Sequence, residues 1–248
     1  VDNTRPTVGI DVGVRELAHL SDGTVIPNPQ ALDSENRRLR RARLTIARKQ
    51  RAADKRFGKR KKGERRIESK RLQRARKIHA RLARRVTDLR ADALHKSTTW
   101  IAKTYSTVVV EDLHGKNMTR TRKGKGRASK AGLNRSILDS GMLRIRPILA
   151  YKMPLYGGWL VAVPAAGTSR RCSRCGAYND PGSSKIYKCE SCKLVIDRDE
   201  NASLNIHAAA SCTVASTEMS GCRGAVVRPK AKAGRQAALI RQLEPDHV

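Results

Sequence analysis

The sequence predicts a mixed α/β protein whose strand-built core is interrupted by a basic helical hairpin and by a zinc ribbon. Three observations predict it. Short β-branched runs recur at Thr7–Val12, Ser106–Val110 and Trp159–Val163. A strongly basic segment with helical apolar spacing separates the first two, and two C-x2-C pairs follow the third.

The N-terminal run reads as a β-meander. Thr7–Val12 is the first strand, Gly13 allows a tight turn, and Glu16–Ser21 returns. Asp22-Gly23 is a hairpin signal before Thr24–Ile26. Two amphipathic helices are expected next, at roughly 34–54 and 65–104. Leu39, Ala42, Ile46 and Ala53 share one seam, while Leu72, Ala75, Ile78, Leu82, Val86, Leu89 and Ala93 share another; a glycine-bounded break at 57–63 lies between. Ser106–Val110 is a continuous apolar run, as in a buried parallel strand, and it ends on Glu111-Asp112. A loop over Thr119–Lys130, a helical stretch at Ile137–Tyr151, the strand Trp159–Val163 and a helix opening near Asp199 complete the order.

Charge narrows the function classes. The chain has 248 residues, 53 Lys+Arg against 22 Asp+Glu, a formal net charge of +31 and only eight aromatic residues. Arg37–Arg90 alone holds 25 Lys/Arg against four acidic residues. An ordinary solvated hairpin mixes signs for i,i+4 support, so one with so little Glu is expected to lie on phosphates. Arg41, Arg48, Lys61, Lys62, Arg74 and Arg81 are the candidate contacts there. No run approaches the roughly 18 apolar residues of a membrane span. No secretory leader opens the sequence, so a cytoplasmic, nucleoid-associated prokaryotic protein is expected.

Cys172-x2-Cys175, thirteen residues, then Cys189-x2-Cys192 is the spacing of a structural four-thiolate zinc site. The insert carries the Asn179-Asp-Pro-Gly182 turn and a short strand at Lys185–Lys188. Arg171 and Arg174 beside the first knuckle suit nucleic acid. Cys212 and Cys222 have no matching partners and read as bystanders, and the six histidines show no ligand spacing.

Three acids stand out. Asp11 lies between Ile10 and Val12, where an unpaired buried charge costs several kcal/mol and so needs a function. Glu111 ends a strand, a common place for a polar residue. Asp199 opens a helix and competes for its role with Asp197. If such acids converge, they bind hard divalent cations, and two ions about 4 Å apart can activate water against a phosphodiester.

Val8-Gly-Ile-Asp-Val-Gly13, Val108-Val-Val-Glu-Asp-Leu113, Thr168-Ser-Arg-Arg-Cys-Ser-Arg-Cys-Gly176 and Asp197-Arg-Asp-Glu-Asn-Ala-Ser-Leu-Asn-Ile206 together resemble the C-terminal half of TnpB proteins. These are transposon-encoded relatives of the type V CRISPR nucleases. The resemblance implies an RNase H-like (RuvC) mixed sheet with the hairpin and ribbon inserted. It also implies catalytic, magnesium-binding acids at Asp11, Glu111 and Asp199, the last chosen over Asp197 by its place two residues before Asn201. DNA and a guide RNA are the implied partners, and Mg²⁺-dependent DNA cleavage is the implied activity.

The expected division is a discontinuous core at 1–30, 104–167 and 193–210, a hairpin at 31–103, a ribbon at 168–192 and a disordered tail at 211–248. Family members carry a recognition and wedge region before the first core strand. Here that strand begins at Thr7, so the expectation is a fragment, a decayed gene product, or a coding sequence with a GTG start that makes a truncated form. The rival reading is a non-catalytic zinc-ribbon protein that grips nucleic acid through the hairpin and ribbon alone.

Overall fold

A computed structural model describes residues 4–59, 68–121, 124, 126–165, 167–182, 184–215 and 225–226. The predicted meander forms as β1 (Thr7–Val12), β2 (Glu16–Leu20) and β3 (Val25–Pro27), with Gly23 at φ 86° supplying the left-handed turn residue. Two long helices follow, α1 (Ala31–Phe57), longer at both ends than the expected 34–54, and α2 (Lys70–Thr104), which starts later than the expected 65 and ends where expected. Then come β4 (Thr107–Glu111), the short α3 (Gly115–Met118) and α4 (Arg127–Ser140).

Two expectations need correction in this stretch. Arg127–Lys130, assigned to a loop, is the first turn of α4. The single helix expected over 137–151 is two helices, because Gly141 takes a left-handed φ of 69° and ends α4. A short 3₁₀ turn leads into α5 (Ile145–Leu155) and then β5 (Trp159–Val163). β6 (Ile186–Lys188) and β7 (Val195–Asp197) form a separate two-stranded antiparallel sheet, so the small module runs past the expected boundary at 192. α6 (Arg198–Ala215) and β8 (Ala225–Val226) complete the order. The tail expected to be disordered therefore contributes five helical residues and an antiparallel pairing of β8 with β5. Lys61, Lys62 and Cys222 lie outside the described residues.

The main sheet has the strand order β3-β2-β1-β4-β5-β8, with β1, β4 and β5 parallel and the other neighbours antiparallel. Burial on both faces explains why β4 reads as an unbroken Val run. Val8, Ile10, Val108 and Val110 face the larger core with Leu94, Ile101, Ile148, Leu149 and Met153 from α2 and α5. Residues of the other parity face α6, where Val109, Val161 and Val163 pack on Ile206 and Ala210.

The α1–α2 hairpin leaves the sheet between β3 and β4. Only Ala31, Glu35 and Leu39 of α1 are buried, and Ile78 and Leu89 of the expected seam are exposed. Its root is held by a small apolar cluster, Ala31, Leu39 and Val86 with Leu32, Leu82 and Ala83 against it, and by charge. Buried Glu35 meets Arg85 at 2.9 Å and Arg38 at 3.4 Å, offsetting some of the local like-charge repulsion.

Gly9 sets the distance between β1 and α6. A Cβ there would lie 2.4 Å from both the His207 nitrogen and the Ser203 carbonyl oxygen, which are backbone atoms that cannot step aside. Gly9→Ala is expected to cost about 3 kcal/mol, the upper end for overpacking, measured by denaturant unfolding.

Candidate functional site

The β1–β4 register places the first two acids. Ile10 is paired with Val110, so Asp11 and Glu111 end up abreast on neighbouring parallel strands. Adjacent strands are about 4.8 Å apart. Both acids have the parity of Gly9 and Val109 and therefore face α6. The first turn of α6 brings Asp199 to the same place. All three line one cleft of about 620 Å³, together with Arg15, His19, Thr168, Arg170, Lys185 and Arg198.

The acids act on one another electrostatically. Burial, then the charge of Glu111, then that of Asp199 holds the Asp11 carboxyl well above the usual carboxylate range; Arg198 and the Val12 N–H act against the rise. Glu111 is raised by its own burial, partly offset by the Thr168 hydroxyl, which donates to its Oε1 at 2.5 Å.

The ambiguities in the sequence are resolved by hydrogen bonds. Asp197 Oδ1 accepts the backbone N–H groups of Asp199 (2.9 Å) and Glu200 (3.4 Å), so Asp197 caps α6 and Asp199 is left to the cleft. Asp112, beside Glu111, is held by Arg146.

Sequence reasoning missed two residues here. The histidines were assigned no role, yet His19 contacts Glu16, and both lie near Asp199. Among the described residues, the mixed carboxylate–imidazole group whose ligand atoms all come within 4.8 Å of one another is Glu16, His19 and Asp199.

The four predicted cysteines also meet, with all four sulfurs within 4.8 Å of one another. Cys172 and Cys192 are 3.6 Å apart, as are Cys175 and Cys189. A tetrahedral zinc with 2.3 Å bonds sets its sulfurs about 3.8 Å apart, so the cluster is compatible with that ion. The Cys192 backbone N–H, 3.5 Å from Cys189 Sγ, is the main cause that pulls the Cys189 thiol down to about 6. Gly176, at φ 75°, turns the chain behind the first pair. Arg171 and Arg174 are exposed beside it, as are Arg41, Arg48, Arg74 and Arg81 along the hairpin.

Comparison with known proteins gives the family. A model described as "Probable transposase" (OrfB_IS605) matches residues 1–122, and one described as "Cas12f1-like, TNB domain" matches 144–206. This chain belongs to the TnpB (OrfB) transposase family. It is 35% identical over 220 residues to a protein of Escherichia coli K12 named "Putative RNA-guided DNA endonuclease InsQ", covering 86% of this chain and 51% of that one. A protein of the same description from Streptomyces pristinaespiralis is 32% identical over 248 residues, covering 99% and 54%. The chain thus spans about half the length of the curated relatives it matches. A CRISPR-Cas12f ternary complex solved by cryo-EM superposes with a TM-score of 0.52 at 21% identity, over 84% of this chain and 39% of that one. The mini-RNA-guided endonuclease CRISPR-Cas_phi3 gives 0.51 at 13%, over 87% and 46%. These two likenesses concern the fold.

The cysteine module of this TnpB-family chain is tied to the sheet through α6. Fully buried Asn201 accepts the Ser173 N–H at 2.9 Å and donates to the Arg171 carbonyl at 2.8 Å. Asn205 donates to the same carbonyl at 2.7 Å and to that of Thr168 at 2.8 Å. Asn201→Ala leaves the Ser173 N–H without its acceptor and is expected to cost about 1–3 kcal/mol. Hydrogen exchange should accelerate at Ser173 and its neighbours and not in β1 or β4.

Proposed function

We propose that the protein is a RuvC-type, metal-dependent DNA endonuclease of RNase H-like fold, acting on a phosphodiester held in the cleft at the ends of β1 and β4. The observation that carries this reading is the meeting of Asp11, Glu111 and Asp199, from three distant segments, in one cleft. The rival reading, a zinc-ribbon binder without catalysis, accounts for the basic surface but leaves three mutually repelling acids without a purpose.

The donor set fits a hard divalent cation. It offers carboxylate oxygens at the ends of adjacent strands, and the repulsion of Glu111 and Asp199 on Asp11 is what such an ion relieves. Asp11, Glu111 and Asp199 would hold Mg²⁺. Bound there, the ion supplies an activated water and stabilises the leaving oxygen of the phosphodiester. The chain's own residues do the rest. Thr168 orients Glu111 through its 2.5 Å hydrogen bond. Arg15, Arg170 and Lys185 line the cleft with positive charge that draws a phosphate in. The exposed arginines of the hairpin extend that attraction along a polynucleotide, without reading its sequence.

In the same reading Cys172, Cys175, Cys189 and Cys192 hold a structural zinc with no open position for chemistry. The relatives' names supply the partners proposed here, a DNA target and a guide RNA.

Two measurements test this. Asp11→Asn should retain binding to single-stranded DNA in a filter assay while Mg²⁺-dependent nicking falls to about 1% or less of the parent. Equal nicking by parent and variant would overturn the assignment. Metal analysis of the isolated protein should find one zinc per chain, lost in Cys189→Ser, whose 168–197 region should become protease-sensitive.

A further inference from the structure

The surroundings of His19 hold an arrangement that strand periodicity does not produce. In a regular strand, positions 16 and 19 point to opposite faces. In β2 they do not. The β2–β3 register shifts between Glu16, paired with Pro27, and Ala18, paired with Ile26, so two steps of β2 run against one of β3. That is a β-bulge, and a bulge re-aims side chains. Glu16 and His19 consequently touch.

On its other flank, His19 is the ladder partner of Asp11 across β1 and β2, and it lines the cleft while only 8% exposed. Asp199 arrives from α6. One imidazole nitrogen and two carboxylate oxygens then lie within 4.8 Å of one another.

The geometry points to a second cation site in the cleft, formed by Glu16, His19 and Asp199, which takes a divalent transition-metal ion such as Mn²⁺ in preference to Mg²⁺. Carboxylates alone suit magnesium and manganese alike, whereas an imidazole ligand favours the transition metal. The charged groups facing the site are compatible with an ion. Lys185 is 3.8 Å from Glu16 and Arg198 is 3.3 Å from Asp199, and both are long, partly exposed side chains that an incoming cation can displace. Asp11, on the neighbouring strand, adds attraction. This inference rests on the proposed metal-dependent reading through the shared Asp199, and it adds a nitrogen ligand that the three-acid set lacks.

The test is Mn²⁺ binding to the whole, untagged protein, followed by electron spin resonance and by spin-echo modulation, which detects nitrogen-14 bonded to the ion. The parent should show imidazole nitrogen coupling. His19→Gln should lose it and bind that Mn²⁺ about tenfold or more weakly. The double variant Asp11→Asn/Glu111→Gln should keep it. Bound Mn²⁺ without nitrogen coupling in the parent would show that Glu16 and His19 form an ion pair only; this inference would fall while the three-acid reading stood. Coupling that persists in His19→Gln, or vanishes in the double variant, would equally overturn it. No bound Mn²⁺ at all would sink both readings. The parent spectrum decides even if His19→Gln fails to fold.

Discussion

The cleft depends on the parallel ladder between β1 and β4 and on the close seating of α6 over it. The ladder fixes Asp11 beside Glu111, and the glycine at position 9 lets the helix backbone come down onto β1. A helix held a side chain's width further away would carry Asp199 out of the cleft. Three like charges are thus brought together by hydrophobic burial on both faces of a sheet, at an electrostatic cost that shows in the raised carboxyl of Asp11.

The same helix joins the two chemistries of the molecule. Its first turn carries Asp199. Asn201 and, one turn further, Asn205 clamp the loop that leads into the first cysteine pair, and Asp197 at the end of β7 caps the helix. The small two-stranded sheet and the main sheet are therefore registered against each other through polar side chains, Asp197, Asn201 and Asn205 with Lys185 and Thr168, their apolar clusters being separate. Among the described residues, Tyr187 is the one large side chain buried with the cysteines, so that module has a small apolar core.

The hairpin shows a different balance. Its seam is narrow, and several apolar residues assigned to it are exposed, yet both helices extend without interruption over 27 and 35 residues. Buried Glu35, clasped by Arg85 and Arg38, anchors the root where the helices leave the sheet. Beyond it the exposed arginines face water with few acidic neighbours. That distribution suits a surface that is completed by a polyanion.

Much of this was legible in the sequence, because the relevant signals are local. Alternating or continuous apolar runs marked β1, β2, β4 and β5 to within a residue or two. Cysteine spacing named four thiols that do meet, and an acid inside an apolar strand marked Asp11. What misled was equally local: Gly141 splits one expected helix into two, and Arg127–Lys130 lacks apolar periodicity because Arg127, Ala128 and Ser129 are all exposed and that turn has no buried side. Residues alone do not say which of Asp197 and Asp199 caps the helix; the hydrogen bonds show that Asp197 does. Nor could Glu16 and His19 be seen as neighbours, because a bulge inverts the parity on which strand reasoning rests. Composition, periodicity and spacing by themselves determined the elements, the basic surface and the thiol cluster, each governed by contacts within a few residues. Which acids share a cleft, and what stands beside them, was decided by tertiary structure, because strand register and helix seating join residues that lie up to 188 positions apart.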